Sequence, residues 1–188
     1  MPSAIVADAP RRSHARVAAV FYIITFVTGI AALQLKAGFA WYTMNVISDV
    51  AYLVVTALFY QLFKPVNQNL SFVAALFSLL GIVTGFAALV RLPRLPVNSL
   101  VFFGCYCLLI GYLVFRSTFL PRVLGAFMCV AGLGWLTFLS PSLARSLQPY
   151  NMAPGVIGEG LLMLWLVIAG VDAVRWNSMN DRLTREIA

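Results

Sequence analysis

A chain of 188 residues with 62% hydrophobic and only 10% charged side chains is not a soluble domain, in which about 25% of residues are charged. Its net charge of +7 therefore reads first as membrane topology and not as affinity for nucleic acid. One histidine, His14, excludes a bis-histidine haem and a histidine-rich metal site.

Six apolar runs fill most of the chain: 17–35, 43–63, 69–90, 97–115, 119–140 and 153–174. Each is close to the ~20 residues that an α-helix needs to cross a bilayer. The expected fold is an all-α integral membrane protein, a bundle of six transmembrane helices with short loops. Residues 1–15 are expected to be a disordered basic lead-in, 16–175 the transmembrane domain and 176–188 a short amphipathic tail. The first run is longer than the core of a secretory signal, so the first helix is read as an anchor.

Lys and Arg sit at the ends of the runs. Nine fall on the side of the termini (Arg11, Arg12, Arg16, Lys64, Arg116, Arg122, Arg175, Arg182, Arg185) and four on the other (Lys36, Arg91, Arg94, Arg145). That bias predicts cytoplasmic termini in a multi-pass protein of the inner (cytoplasmic) membrane.

Helix one carries Tyr22, Thr25, Thr28 and Ala32 at helical spacing, a small-residue stripe suited to packing. Trp41 and Tyr42 are placed like an interfacial aromatic belt. In helix two, Asn45, Ser48, Asp49, Tyr52 and Thr56 share one face, which must turn away from lipid. Helix three has Gly81 and Gly85, a small-x3-small pair read as packing. Cys105 and Cys107 of helix four point ~200° apart, so they form neither a local disulfide nor a chelate. They are read, with Cys129, as small buried hydrophobes. Helix five has Gly125, Gly132 and Gly134. Helix six opens with Asn151 and Pro154, then places Glu159 between Gly158 and Gly160, which should let other backbones approach. Asp172 and Arg175 form a surface pair. Trp176, Met179, Leu183 and Ile187 give the tail an apolar face for the inner leaflet.

Asp49 and Glu159 are the two carboxylates deep within runs. Counted from Thr43 and Ala153, each lies ~9 Å below the outer boundary. If helices two and six are neighbours, the carboxylates meet, share one proton, and can carry protons or hold a cation. The candidate site is Asp49, Glu159, Asn45, Ser48, Tyr52 and Tyr106, the last at comparable depth on helix four. The bland alternative is a hydrogen-bonded carboxyl that merely ties the bundle together.

The stretch 102–125, FFGCYCLLIGYLVFRSTFLPRVLG, resembles a bacterial membrane-protein family catalogued as domain of unknown function 4386. ARVAAVFY at 15–22, FKPVN at 63–67 and GEGLLMLW at 158–165 extend the likeness across residues 15–171. The resemblance implies six spans and no assigned activity. It also implies shorter loops here, between helices one and two and between three and four, and a histidine in relatives where this chain has Tyr106.

Three functions compete. The first is a small-molecule or proton-linked binding or transport protein with a carboxylate site opening to the outer side. The second is a structural or regulatory partner of another membrane protein, or a homo-oligomer. The third, an intramembrane hydrolase, lacks a histidine beside Ser48, Asp49 and Glu159, and the chain leans away from enzymes. The implied partners are the bilayer and a lipid or small-molecule ligand; nothing implies nucleic acid, a metal or a cofactor.

Overall fold

The computed structural model describes residues 3–92 and 97–187. Eight α-helices follow one another: α1 (Ser3–Gln34), α2 (Phe39–Phe63), α3 (Gln68–Leu89), α4 (Ser99–Arg116), α5 (Arg122–Leu136), α6 (Pro141–Leu147), α7 (Ala153–Ile168) and α8 (Ala173–Ile187). There is no strand among the described residues. Six segments are long and apolar enough to span a membrane: Ala15–Gln34, Phe39–Phe63, Gln68–Leu89, Ser99–Arg116, Arg122–Leu139 and Tyr150–Ile168. Between 22% and 44% of each span is buried inside the bundle, so most of each helical surface faces outward. That surface is apolar: Val27, Leu33, Phe72, Val83, Leu133 and Ile168 are all exposed. Such a belt is stable only against hydrocarbon, and the protein is a multi-pass membrane protein in contact with the lipid bilayer.

The chain ends depart from expectation. Residues 3–15, expected as a disordered lead-in, continue the first membrane helix without a break. The helix runs through Pro10, which does not end it; four alanines favour the helix, and one already nucleated by the span elongates readily. At the other end, α8 begins at Ala173, three residues before the expected tail. Pro2, Arg94, most of the 91–96 connection and Ala188 lie outside the described residues.

Local chemistry sets the helix boundaries. Asn67 caps α3, its side chain accepting from Leu70 N at 2.9 Å, and Asn98 does the same for α4 from Leu100 N at 2.9 Å. α7 closes on Gly170, whose φ of 68° lies in the left-handed region that glycine occupies without strain. One helix was not expected. α6 lies in the connection between the fifth and sixth spans, flanked by 3-10 turns at Thr137–Leu139 and Tyr150–Met152. Its seven residues are too few for a periodic signal, though Ser140 followed by Pro141 is a helix start.

The spans form a ring in chain order. α1 packs on α2, α2 on α3, α3 on α4, α4 on α5 and α5 on α7, and α7 closes onto α1. α2 and α7 therefore share no seam of their own, since α1 packs against both, and Asp49 and Glu159 face each other only across the interior of the ring. Inside the ring lie Tyr22, Phe59, Phe63, Tyr106, Ile110, Leu113, Met128, Leu162 and Leu166, each no more than 2% exposed.

The tightest seam joins α4 and α5. A Cβ on Gly104 would stand 3.0 Å from the Gly132 carbonyl, and one on Gly132 2.8 Å from the Gly104 carbonyl. One turn-pair along, Gly111 meets the Gly125 carbonyl at 2.9 Å and Gly125 the Gly111 carbonyl at 2.8 Å. Two reciprocal glycine crossings seven residues apart hold these backbones in contact. Gly81 accommodates the Phe103 ring of α4, within 2.9 Å of an added Cβ. These glycines pack the bundle against itself.

On the side of the termini the ring is capped by α8. Trp176 Nε1 donates to Leu62 O of α2 at 2.9 Å, Arg175 Nη1 to Thr118 O at 3.1 Å, and Thr118 Oγ1 to Met179 Sδ at 3.4 Å. Asp172 and Arg175 form the expected surface pair at 3.1 Å, with side chains 44% and 65% exposed. A pair so exposed contributes less than ~1 kcal/mol.

Candidate functional site: a buried glutamate at the floor of a membrane cavity

Glu159 is buried in the ring interior, 5% exposed, and its two carboxylate oxygens are held by different helices. Tyr22 Oη of α1 donates to Oε2, and Trp135 Nε1 of α5 donates to Oε1 at 2.6 Å. The Tyr52 hydroxyl and the Cys107 thiol lie beside the carboxylate. Its two bonds come from neutral donors, and no Lys or Arg joins them among the described residues.

Each donor is placed by packing. The Tyr22 ring is gripped edge-on by Phe26, Tyr52 and Phe59 at 5.5, 5.7 and 5.7 Å between centroids. Tyr52 stands edge-on to Phe103 at 4.9 Å and to Tyr106 at 6.1 Å. The Trp135 indole can lie across α7 because residue 155 is glycine: any Cβ there would fall within the ring. Gly158 brings α7 against the Phe127 carbonyl and Ala131 of α5, as expected of a glycine beside the glutamate. Gly160 differs, since a Cβ there meets nothing within 4 Å.

A cavity of about 330 Å³ opens above the carboxylate. It is lined by Thr25, Phe26 and Ile30 of α1, Asp49 and Tyr52 of α2, Phe103 of α4, Trp135 of α5 and Glu159 of α7, among others. Its volume is at the low end for ligand sites. Among the described residues, two carboxylates and no Lys or Arg line it. A second cavity of about 350 Å³, beside α6, has the opposite character, with Arg145, Asn98 and Gln148 in its wall and no carboxylate.

The six expected site residues part ways. Glu159, Asp49, Tyr52 and Ser48 line the cavity. Asp49 and Glu159 share it with no hydrogen bond between them among the described residues; the glutamate oxygens accept from Tyr22 and Trp135. Ser48 is turned to α1, donating to Thr25 O at 3.2 Å, and so clamps two helices. Asn45 donates to Trp41 O of its own helix at 2.8 Å. Tyr106 is 1% exposed and its hydroxyl has no hydrogen-bond partner; it packs behind Tyr52 and is not a wall of the cavity. Thr56, on the same stripe, bonds Ser78 of α3 at 2.6 Å. The stripe therefore serves three contacts, because neighbours on either side each take part of one helical face. No group of three or more metal-ligating side chains occurs among the described residues, and Cys105, Cys107 and Cys129 are free thiols.

Two principal residues of the site, Tyr22 and Trp135, were not among the expected six. Tyr22 stood in the packing stripe of helix one. Trp135, near the end of an apolar run, is indistinguishable from a belt tryptophan until its neighbour is known.

No solved structure matches this chain. A protein of Archaeoglobus fulgidus named "Uncharacterized protein" is 32% identical over 120 residues, which cover 59% of this chain and 72% of that one. The profile of the family described as Domain of unknown function (DUF4386) matches residues 97–170. That segment contains both glycine crossings of α4 and α5, the Trp135 donor and Glu159 itself. Together the profile match and the identity shared with the archaeal protein place this chain in the family of domain of unknown function DUF4386.

Proposed function

We propose that the protein is a membrane-embedded binding protein for a small amphiphilic molecule, held in the cavity above Glu159 and opening on the face opposite the termini. The single observation that carries this reading is the Glu159 carboxylate, fixed by Tyr22 and Trp135 at the floor of an otherwise largely apolar cavity. Apolar walls with a few convergent polar groups are the usual make-up of ligand sites. A carboxylate needed only as a tie between helices would not require a cavity beside it. The nine-to-four bias of Lys and Arg supports cytoplasmic termini and an outward-opening site. It fits residence in the inner membrane of a bacterial cell.

The alternative of a structural partner is weaker on one count. Gly81, Gly104, Gly111, Gly125 and Gly132 are all engaged within the bundle and are not free to receive a second protein. A hydrolase built on Ser48 would lack an activated nucleophile, for Ser48 Oγ donates to a backbone carbonyl and not to a base.

The test uses the full chain in lipid nanodiscs and 1-octanol as a neutral probe. Trp135 fluorescence, taken as the difference from Trp135→Phe, should change saturably. Val156→Trp, which fills the cavity wall, should abolish the change. A response that is linear in octanol and unaffected by Val156→Trp would overturn the reading.

A further inference from the structure

We infer that the cavity selects a monocationic amphiphile, an ammonium head on an apolar tail, admitted from the membrane leaflet opposite the termini. This rests on the reading of the cavity as a ligand site and adds the charge of the ligand and its route.

The charge follows from the walls. Asp49 is partly buried on the cavity surface, and among the described residues no hydrogen bond or ion pair engages it and no Lys or Arg lines the cavity with it. Glu159 already has its neutral donors, so Asp49 is the carboxylate left for a ligand. The rings of Phe26, Tyr52, Phe103 and Trp135 line the same cavity. Aromatic faces attract cations, and the attraction grows as water is excluded. A carboxylate among rings, with apolar groups beyond, complements an ammonium on a hydrocarbon body. It repels a carboxylate or phosphate, because like charges in a poorly screened site are costly.

The route follows from exposure. Ile30 and Leu33 of α1 and Val156 of α7 all line the cavity, yet they are 50%, 71% and 43% exposed. They form a mouth between α1 and α7, near the end of α1 and the start of α7, on the face opposite the termini. At Gly29, just inside that mouth, a Cβ would meet only Ser48 of α2 at 3.6 Å and nothing of α7. Deeper, α1 and α7 are joined by the Tyr22–Glu159 bond. An opening between two membrane helices rimmed by aliphatic side chains is wetted by acyl chains, so a molecule dissolved in that leaflet reaches Asp49 without crossing water.

The experiment compares octylammonium, 1-octanol, octanoate and ethylammonium on the nanodisc protein, with Trp135 fluorescence as readout and empty nanodiscs correcting for partition. Octylammonium should bind roughly tenfold or more tighter than octanol, in keeping with a hydrogen bond to a charged group, and octanoate should not compete. Asp49→Asn, checked for unchanged helicity and thermal stability, should bring octylammonium down to the level of octanol. If octanol and octylammonium bind equally, and Val156→Trp blocks both, the site stands and the cation selectivity is wrong. If Asp49→Asn leaves octylammonium binding intact, or octanoate binds best, the selectivity is equally refuted. If ethylammonium competes as well as octylammonium, the ligand is water-borne and the lateral route is wrong. If no probe gives a response that Val156→Trp removes, the site itself is refuted.

Discussion

Glu159→Leu should destabilise the bundle severely, while Glu159→Gln should be tolerated. Leucine is close to glutamate in volume but removes both acceptors. Tyr22 Oη and Trp135 Nε1 then point at a methyl group inside the ring. A buried donor left unsatisfied costs ~1–3 kcal/mol. Within membranes the unfolded reference state finds substitute partners, and measured interhelical hydrogen bonds average only about 0.6 kcal/mol. Two orphaned donors should therefore cost roughly 1–4 kcal/mol. Glutamine keeps one carbonyl for the indole, which can only donate. Its amide group can donate to Tyr22, whose hydroxyl also accepts. That rearrangement should cost less than about 1 kcal/mol, since each bond lost is replaced. Reversible unfolding in mixed micelles, followed by circular dichroism, measures both variants. A cycle with Tyr22→Phe isolates the coupling across α1 and α7. Equal stability of the leucine and glutamine variants would show that the hydrogen bonds do not hold the glutamate, and the account of the site would fall.

At the α4–α5 seam, Gly111→Ala and Gly132→Ala should each cost about 1–3 kcal/mol, because the added Cβ meets a facing backbone carbonyl at 2.9 and 2.8 Å. Gly160→Ala, with open space around it, should be neutral or stabilising by up to ~1 kcal/mol through helix propensity; thermal denaturation of the three variants checks the order. Trp176→Phe deletes the donor to Leu62 O, so α8 should lose hydrogen-exchange protection while α2 and α4 keep theirs. Reporter fusions after Ala188 should be active only as cytoplasmic reporters, and a periplasm-active fusion would invert the proposed orientation.

The six spans were legible because Lys and Arg are kept to the ends of the runs; lipid imposes that rule on each helix separately, whatever its neighbours. Glu159 was legible for the same reason, as a carboxylate that lipid would not accept. Its partners were not. Helical periodicity states that Ser48, Tyr52 and Thr56 share a face, but three different neighbours meet that face: α1 takes Ser48, the interior takes Tyr52 and α3 takes Thr56. Which helices adjoin is decided by the closing of the ring, and no local pattern encodes it. The same limit left the relation of Asp49 to Glu159 conditional on which helices adjoin, and the structure places both on one cavity. The glycines were read as packing residues, and the structure adds which backbone each one meets. Gly160 had the same sequence signature as Gly158 and faces open space.

The closure of the ring has a consequence for biogenesis. Each new span can settle against its predecessor as it leaves the insertion machinery, so five of the six seams are local in sequence. The sixth joins Tyr22 to Glu159, 137 residues apart, and must wait until α7 has been made. Until then the nascent chain is an open arc that leaves Tyr22 without its acceptor. Such an intermediate carries a mark of its own incompleteness, an unsatisfied polar edge within the bilayer, which membrane chaperones and proteases could read. A message truncated before α7 would yield a product that inserts but cannot close, and its short lifetime in the cell would reflect that open edge.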